Sequence, residues 1–256
     1  MTVLEAAAVT KRFGGLVAVH DVSLTVNDSE IVGLIGPNGA GKTTFFNCLT
    51  GMETPTSGVV TYQGGRLPSR PDLILKSGIA RTFQNIRLFP NMTALENVMV
   101  GRHARTRGGV LSAVGRGPRY HREERESEAK ARELLNFVGM PHVGDELAKS
   151  LPYGDQRRLE IARALATEPG LLLLDEPTAG MNANETAAAI QLVKRIQQQG
   201  ISVVLIEHDM RFVFGLCDRV AVLVQGEKLL EGTPAEVQSD ERVIAAYLGK
   251  APEEQK

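Results

Sequence analysis

A glycine-rich segment near the start of the chain carries the residue types that bind phosphate. Residues 36–43 read Gly-Pro-Asn-Gly-Ala-Gly-Lys-Thr, which fits the P-loop pattern in full. In such a loop, glycines let successive backbone N–H groups turn inward around a β-phosphate, the lysine reaches the β- and γ-phosphates, and the threonine hydroxyl ligates Mg²⁺. Thr44, the next residue, is a further candidate contact. The predicted phosphate ligands are Gly36, Pro37, Asn38, Gly39, Ala40, Gly41, Lys42, Thr43 and Thr44.

Two adjacent carboxylates, Asp175 and Glu176, follow the apolar run Leu171–Leu174. At the end of a buried strand, they would lie where open α/β sheets bind their ligands. Neighbouring strand residues point to opposite sides, so Asp175 suits the Mg²⁺ shell, whereas Glu176 can polarise a water that attacks the γ-phosphate. The alternative is an ordinary solvated turn, and the intact P-loop favours the catalytic interpretation.

A parallel sheet is needed to bring these residues together. Three apolar runs lack polar alternation, as strands buried on both faces do: Ile31–Ile35, Leu171–Leu174 and Ile201–Ile206. A capping box of Asn182 and Glu185 predicts the helix that separates the last two runs. The P-loop could match its pattern by chance, but a predicted strand precedes it and a predicted helix follows it, which gives the pattern its meaning.

The amino-terminal third has a different pattern. Its segments Leu4–Val9, Val17–Val26 and Gly58–Gln63 alternate in polarity and are bounded by glycine and aspartate turns. This pattern predicts short strands of an antiparallel sheet that lies beside the parallel one.

The middle of the chain, from Thr93 to Gly139, is rich in charged residues and in helix formers. Two pairs are spaced to interact across one helical turn: Glu126 with Lys130, and Glu128 with Arg132. We interpret the region as an inserted helical lobe. Within it, Arg102–Arg119 contains several arginines and glycines with little periodicity, which predicts an irregular extension.

Composition narrows the class of protein. A chain of 256 residues with 43% apolar content can bury a large core, as one elaborate domain or as a core with an inserted lobe. The net charge of −1 argues against the broad basic surface that non-specific nucleic-acid binding requires. Cys48 and Cys217 lie far apart, which favours a reducing compartment over a disulfide framework. The apolar runs are too short to cross a bilayer, so we expect a chain that does not enter the membrane by itself.

The order of these motifs resembles that of the ABC ATPase family, from about Leu4 to Gly249. The resemblance implies an α/β P-loop NTPase fold, in which a mostly parallel sheet with helices is joined by an antiparallel β subdomain and an inserted α-helical subdomain. It implies a single ABC ATPase domain over 1–256. Residues 1–88 and 160–250 would form the nucleotide-binding core, and residues 89–159 the helical subdomain with its signature loop.

The resemblance also assigns residues to ATP and Mg²⁺. Phe13 would stack on adenine with Ala18 beneath it, although a single phenylalanine is more often a core residue. Gln84 would sense Mg²⁺ and couple the site to a membrane partner, and His208 would touch the γ-phosphate. The implied catalytic residues are Glu176, His208, Gln84 and Lys42, and the implied Mg²⁺ ligands are Thr43, Gln84 and Asp175.

The family signature, usually Leu-Ser-Gly-Gly-Gln, corresponds to residues 151–155, which read Leu-Pro-Tyr-Gly-Asp. Pro152 has neither the hydroxyl nor the N–H of the usual serine. Gly154 and the start of the following helix are retained, so backbone donors can still face the phosphate of an opposite subunit. The family therefore implies a dimer, formed with a second copy or with a sister ATPase. Asn182 stands where many relatives carry aspartate.

Four stretches resemble the longer ATPase of branched-chain amino acid importers: residues 151–163, Arg81–Gln84, Thr106–Tyr120 and Ala246–Gly249. That resemblance implies transmembrane permease partners, an indirect link to an extracytoplasmic substrate-binding protein, no nucleic-acid partner, and a peripheral position at the cytoplasmic face of the inner or plasma membrane. Two alternatives stay open. One is the ATPase of a lipopolysaccharide or lipid export system, and the other is a soluble, non-transport ABC ATPase.

Overall fold

Two β-sheets and the helices around them make up the computed structural model, which describes residues 1–103 and 118–248. The strands are β1 (Thr2–Phe13), β2 (Leu16–Asn27), β3 (Ile31–Ile35), β4 (Ser57–Tyr62), β5 (Gly65–Arg66), β6 (Ile79–Arg81), β7 (Leu171–Asp175), β8 (Ser202–Ile206), β9 (Arg219–Val224) and β10 (Glu227–Gly232). The helices are α1 (Lys42–Leu49), α2 (Pro71–Ser77), α3 (Ala94–Arg102), α4 (Pro118–Phe137), α5 (Tyr153–Leu165), α6 (Ala183–Gln198), α7 (Met210–Leu216), α8 (Pro234–Ser239) and α9 (Glu241–Leu248).

The larger sheet has six strands in the order β10-β9-β3-β8-β7-β6. Pairing is parallel from β9 to β6, and β10 is antiparallel to β9 at one edge. The predicted parallel strands at β3, β7 and β8 are confirmed. The sequence analysis did not identify β6, β9 or β10.

Every residue of β3, β7 and β8 is buried, because the sheet is covered on both faces. Side chains of β3 alternate between two hydrophobic cores, so that Ile31 and Ile35 lie in one and Val32 and Leu34 in the other. The period of two follows from the strand geometry. It explains why these strands read as continuous apolar runs rather than as alternating ones.

The smaller sheet is antiparallel, with the order β2-β1-β4-β5, as the alternating amino-terminal segments predicted. Its inner face and helix α1 cover one face of the larger sheet; Leu4, Phe45 and Leu173 lie together in the core between them. This packing sets the position of α1, and therefore of the loop in front of it.

A helical region packs against the opposite face. Leu95 of α3, Leu135 of α4 and Leu159 of α5 share the second core with the larger sheet. The predicted pair between Glu128 and Arg132 is confirmed at 2.9 Å. The predicted pair between Glu126 and Lys130 is wrong.

Lys130 instead binds Glu133 at 2.8 Å, because the i+3 neighbour lies on the same helical face as the i−4 neighbour. The irregular extension predicted for Arg102–Arg119 is wrong at both of its ends, which are helical. Arg102 ends α3, and α4 already includes Pro118 and Arg119. Residues 104–117 lie outside the described residues. Within the described parts of the chain, no helix is both long enough and apolar enough to span a bilayer.

Candidate functional site

Four neighbouring strands of the larger sheet deliver the predicted site residues to one edge. The P-loop follows β3, the glutamine Gln84 comes shortly after β6, Glu176 follows β7, and His208 follows β8 by two residues. Because these strands are parallel and adjacent, their carboxyl ends meet at the same edge. The fold therefore brings together residues that are far apart in the sequence.

The P-loop backbone turns so tightly that two of its glycines have no room for a side chain. Gly36 has φ +150° and Gly41 has φ +93°, both in the region that favours glycine. A Cβ on Gly36 would lie 2.0 Å from the carbonyl oxygen of Leu223, and one on Gly41 would lie 2.4 Å from that of Ala18. The strands behind the loop thus fix its shape.

Lys42 is buried and its side chain curls back over the P-loop. Its Nζ donates to the carbonyl oxygen of Gly36 at 2.6 Å and to that of Pro37 at 3.0 Å. Burial lowers the pKa of Lys42, and the charge of Glu176 acts in the opposite direction. Phosphate oxygens carry charge and are stronger acceptors than carbonyls, so a bound phosphate would compete for this ammonium.

A pocket of about 620 Å³ opens in front of this loop. Eleven of the predicted site residues line it: Ala18, Asn38, Gly39, Ala40, Gly41, Lys42, Thr43, Thr44, Gln84, Glu176 and His208. The remaining lining residues are Leu16, Val17 and Gln225, which the sequence analysis did not name.

Glu176 lies between two of the other predicted catalytic residues. The Nε2 of Gln84 donates to one carboxylate oxygen at 2.9 Å, and Nε2 of His208 lies 2.9 Å from the other. Glu176 also has φ +47°, a left-handed conformation that is uncommon for a residue with a side chain. Backbone strain of this kind clusters at functional sites.

Asp175 lies beneath the pocket rather than on its surface. It is buried, and its Oδ2 accepts a hydrogen bond of 2.7 Å from Nη2 of Arg81. The backbone N–H of Asp175 donates to the hydroxyl of Thr82 at 3.3 Å. The sequence analysis did not identify Arg81 as a partner of this carboxylate.

The predicted metal ligands fit Mg²⁺ by their chemistry. Thr43 offers a hydroxyl, Asp175 a carboxylate, and Gln84 an amide oxygen, since its amide nitrogen is used by Glu176. All are oxygen donors, and Mg²⁺ sites in nucleotide-binding proteins commonly combine one or two carboxylates with substrate phosphates and water. Accordingly, the described residues contain no cluster of three acidic, histidine or cysteine side chains that would make an all-protein cage.

Four predicted nucleotide contacts do not line this pocket: Phe13, Gly36, Pro37 and Gly154. Phe13 is 44% exposed and the ammonium of Lys11 lies 4.8 Å from its ring centre. Gly154 lines a different cleft, between α5 and α6, where a Cβ would lie 3.0 Å from Oε1 of Glu185. Gly36 and Pro37 contribute through the carbonyls that bind Lys42 instead of lining the pocket.

A second buried carboxylate, Glu207, supports the segment that carries His208. Its Oε1 accepts from the backbone N–H and the hydroxyl of Thr178, at 2.8 and 2.5 Å. Its Oε2 accepts from the backbone N–H of His208 at 2.9 Å. Glu207 thus joins the segment after β8 to the loop after β7. The sequence analysis did not name Glu207, although an acidic residue directly after a buried strand is the pattern that identified Asp175 and Glu176.

Side chains of helix α5 hold the backbone of the loop that follows β6 and contains Gln84, here called the glutamine loop. Fully buried Arg157 donates to the carbonyls of Phe83 at 2.6 Å and Gln84 at 2.7 Å. Its partner Glu160, 2.9 Å away, accepts from the backbone N–H groups of Phe83 and Arg87, both at 3.3 Å. These two side chains therefore satisfy backbone groups of the loop that the sheet does not pair. Sequence reasoning treated 151–163 only as a family marker.

The carboxyl-terminal helix α9 also reaches the P-loop. Burial raises the pKa of the Tyr247 phenol to about 12, while a hydrogen bond with the backbone of Gly36 acts in the opposite direction. The end of the described chain is therefore close to the first glycine of the phosphate-binding loop.

Comparison with known families gives two matches. Residues 19–179 match the family described as ABC transporter, and residues 227–253 match the family described as branched-chain amino acid ATP-binding cassette transporter. The first match includes the P-loop, Gln84 and Glu176. The second includes Tyr247.

Two curated relatives extend along nearly the whole chain. The high-affinity branched-chain amino acid transport ATP-binding protein LivG of Salmonella typhimurium is 46% identical over 242 residues, which is 94% of this chain and 95% of LivG. The lipopolysaccharide export system ATP-binding protein LptB of Escherichia coli is 35% identical over 251 residues, which is 98% of each chain.

Two solved structures share the architecture. The ADP conformation of MJ1267, an ATP-binding cassette of an ABC transporter, is 31% identical with a TM-score of 0.85, and the match covers 98% of this chain and 100% of MJ1267. The dimeric post-hydrolysis state of the ATP-binding cassette MJ0796, bound to ADP and Pi, is 28% identical with a TM-score of 0.76, covering 90% of this chain and 98% of MJ0796. The predicted fold class is thereby confirmed.

Proposed function

Because this chain belongs to the ABC transporter family of ATP-binding proteins, we propose that it hydrolyses ATP to power uptake of branched-chain amino acids through partner permease subunits. The greater identity to LivG than to LptB, and the family match of the last part of the chain, support this cargo over lipopolysaccharide. A sequence-wide match to transporter subunits supports transport over a soluble, non-transport role.

The observation that carries the ATPase proposal is the position of Glu176 at the pocket formed by the P-loop. In the mechanism we propose, the backbone of residues 36–44 and the ammonium of Lys42 bind the β- and γ-phosphates. Glu176 accepts a proton from the attacking water, and His208 and Gln84 orient the water and the γ-phosphate. Bound Mg²⁺ would be held by Thr43, Asp175 and Gln84, and would neutralise charge on the phosphates.

The adenine contact is the least constrained part of the site. Ala18 lines the pocket beside Leu16 and Val17, which gives the base an apolar surface at the start of β2. Phe13, the last residue of β1, does not line this pocket, and the family resemblance alone implies that it stacks on the base. We keep Phe13 as a proposed adenine contact on that basis.

The proposed assembly contains two ATPase subunits and two permease subunits. Each nucleotide would lie between the P-loop of one ATPase subunit and the segment around Gly154, or its equivalent, of the other. The other subunit is a second copy of this chain or a sister ATPase. The assembly would place this chain at the cytoplasmic face of the membrane. A substrate-binding protein on the other side would contact the permeases and not this chain.

Transport of labelled leucine into proteoliposomes tests the proposal. The chain is reconstituted with the permease subunits that co-purify with it and with their substrate-binding protein. We expect ATP-dependent uptake that is lost with Lys42→Ala and retained with Lys130→Ala, a control on the exposed face of α4. ATP hydrolysis without transport of leucine, isoleucine or valine would overturn the proposal that branched-chain amino acids are the cargo. Absence of ATP binding would overturn the ATPase proposal itself.

A further inference from the structure

Arg81, the last residue of β6, makes the only hydrogen bond that the described residues offer to the carboxylate of Asp175. Nη2 of Arg81 lies 2.7 Å from Oδ2, and both side chains are largely buried, with exposures of 9% and 5%. The contact therefore joins two parallel strands, β6 and β7, at the edge of the sheet where the pocket opens.

The guanidinium of Arg81 is itself held on several sides. Its Nη1 donates to Oδ1 of Asn47 at 2.7 Å and to the hydroxyl of Thr50 at 3.0 Å, at the far end of the helix that the P-loop begins. The ring of Phe46 lies 5.1 Å from the guanidinium carbon and the ring of Phe83 lies 5.4 Å from it. A planar group bonded and stacked in this way has one orientation.

This geometry uses one oxygen of Asp175, and within residues 1–103 and 118–248 no hydrogen bond reaches the other, Oδ1. A carboxylate bonded at Oδ2 by a fixed guanidinium cannot rotate freely, so the direction of Oδ1 is fixed as well. Partners of this kind orient metal ligands in other proteins, and their removal commonly lowers metal affinity by about 10- to 100-fold.

We propose that Arg81 is the positioning residue of the Mg²⁺ site: it holds Asp175 so that the remaining oxygen faces the metal and its water. The inference rests on the proposed function, because it concerns the carboxylate assigned there to Mg²⁺. Arg81 also ties this carboxylate to the end of α1, and thereby to the helix that presents Thr43. Two of the three proposed protein ligands, Thr43 and Asp175, are then fixed relative to each other through one side chain.

A purely structural pair is the alternative. A buried ion pair often adds little net stability, because desolvation offsets the attraction, whereas the loss of one partner leaves a costly unpaired charge. Thermal stability alone cannot separate the two interpretations, so the test measures metal dependence.

The test is a double-mutant cycle on nucleotide binding, followed with a fluorescent ATP analogue during titration with Mg²⁺ and again in EDTA. We expect Arg81→Met to raise the Mg²⁺ concentration for half-saturation by about 10-fold or more, with nucleotide affinity in EDTA within about twofold of the parent. In an Asp175→Asn background, Arg81→Met should have no further effect on Mg²⁺ dependence, because the oriented carboxylate is already gone.

Two further variants keep the comparison interpretable. Arg87→Met is the matched control, since its guanidinium lies 4.2 Å from the ring centre of the same Phe83, and we expect parental Mg²⁺ dependence. Arg81→Lys keeps the charge but not the fork, and it should raise the Mg²⁺ requirement by a smaller factor. If Arg81→Met does not fold, Arg81→Lys takes its place in the comparison. The double variant Arg81→Met/Asp175→Asn buries no unpaired charge, because both charged side chains are replaced.

Three results would overturn the inference. The first is an unchanged Mg²⁺ requirement in folded Arg81→Met and Arg81→Lys. The second is a double variant whose Mg²⁺ requirement rises by the product of the two single-variant factors. The third is a loss of nucleotide affinity in EDTA as large as the loss in Mg²⁺. A parental protein that binds nucleotide with no dependence on Mg²⁺ would instead overturn the proposed metal site, and the role of Arg81 with it.

Discussion

At the scale of single residues, the carboxylate of Glu176 is engaged at both oxygens. Gln84 donates to one, and His208 lies within hydrogen-bond distance of the other. Each carboxylate oxygen has two lone pairs, so the proposed general base can accept from an attacking water while both contacts are kept. Because Gln84 belongs to a loop held by α5, a change in that loop would alter the hydrogen bonding of this carboxylate.

Glu176→Gln should separate ATP binding from hydrolysis. The amide keeps the shape of the side chain and removes the proton acceptor, so we expect turnover to fall by about 10²-fold or more while nucleotide affinity stays within a few-fold of the parent. Steady-state phosphate release and nucleotide titration measure the two quantities. Glu133→Gln, on the exposed face of α4, is the control and should retain parental turnover. Parental turnover in Glu176→Gln would remove the general-base assignment and leave His208 to orient the water.

At the scale of elements, α5 and the glutamine loop form one unit. The same helix starts at the segment of Gly154 and holds the loop of Gln84 through Arg157 and Glu160. Burial raises the pKa of Glu160, although the charge of Arg157 lowers it. Because desolvation of such a pair offsets much of its attraction, its value to the protein lies in fixing the loop rather than in added stability.

The pair therefore predicts a separation of stability from activity. Arg157→Met should lower the free energy of unfolding by about 3–5 kcal/mol, because Glu160 is then buried without its partner. Arg157→Met/Glu160→Met should recover most of that stability but still hydrolyse ATP more slowly, since the backbone of Phe83 and Gln84 has lost its donors. Denaturant unfolding and phosphate release measure the two effects.

Arg195→Met is a control for this pair, because Arg195 donates to the carbonyl of Phe137 at 2.9 Å without touching the glutamine loop. It should keep parental turnover. A double variant as active as the parent would show that the loop keeps its position without the pair.

Helices and strands were predictable from the sequence where they depend on interactions between residues that are close in the chain. The apolar run Ile31–Ile35, the P-loop after it and the capping box of Asn182 and Glu185 are all present, because burial on both faces and helix capping depend on neighbouring residues. Strand β6, of three residues, was missed since it is too short to show a period.

Contacts between distant segments could not be predicted in the same way. The bond from Arg81 to Asp175 joins residues 94 positions apart, and that from Arg157 to the Phe83 carbonyl joins residues 74 apart. Only the order of strands in the sheet brings them together, and one sequence does not specify that order. The position of Phe13 outside the pocket was likewise not predicted, whereas Gly154 was expected to face the nucleotide of an opposite subunit.

At the scale of the whole molecule, the separation of Gly154 from the P-loop pocket is the main consequence of the fold. Gly154 lies at the start of α5 and lines the cleft towards α6, whereas Lys42 lines the pocket at the carboxyl ends of the parallel strands. If Gly154 contacts a nucleotide, that nucleotide is bound by another chain. Two chains facing each other through the same surface would then make two equivalent sites, which is the usual form of a symmetric dimer.

Mixing two inactive variants tests this arrangement. Lys42→Ala lacks a functional P-loop but keeps the segment of Gly154, and Gly154→Asp has the opposite defect, because its carboxylate would face both a phosphate and Glu185. A mixed dimer contains one site in which both halves are intact. We expect each variant alone to hydrolyse ATP slowly, and an equimolar mixture to recover a substantial fraction of parental turnover. The controls are samples of each single variant at the total protein concentration of the mixture. A mixture no more active than its components would contradict a site shared by two copies of this chain and make a sister ATPase the required partner.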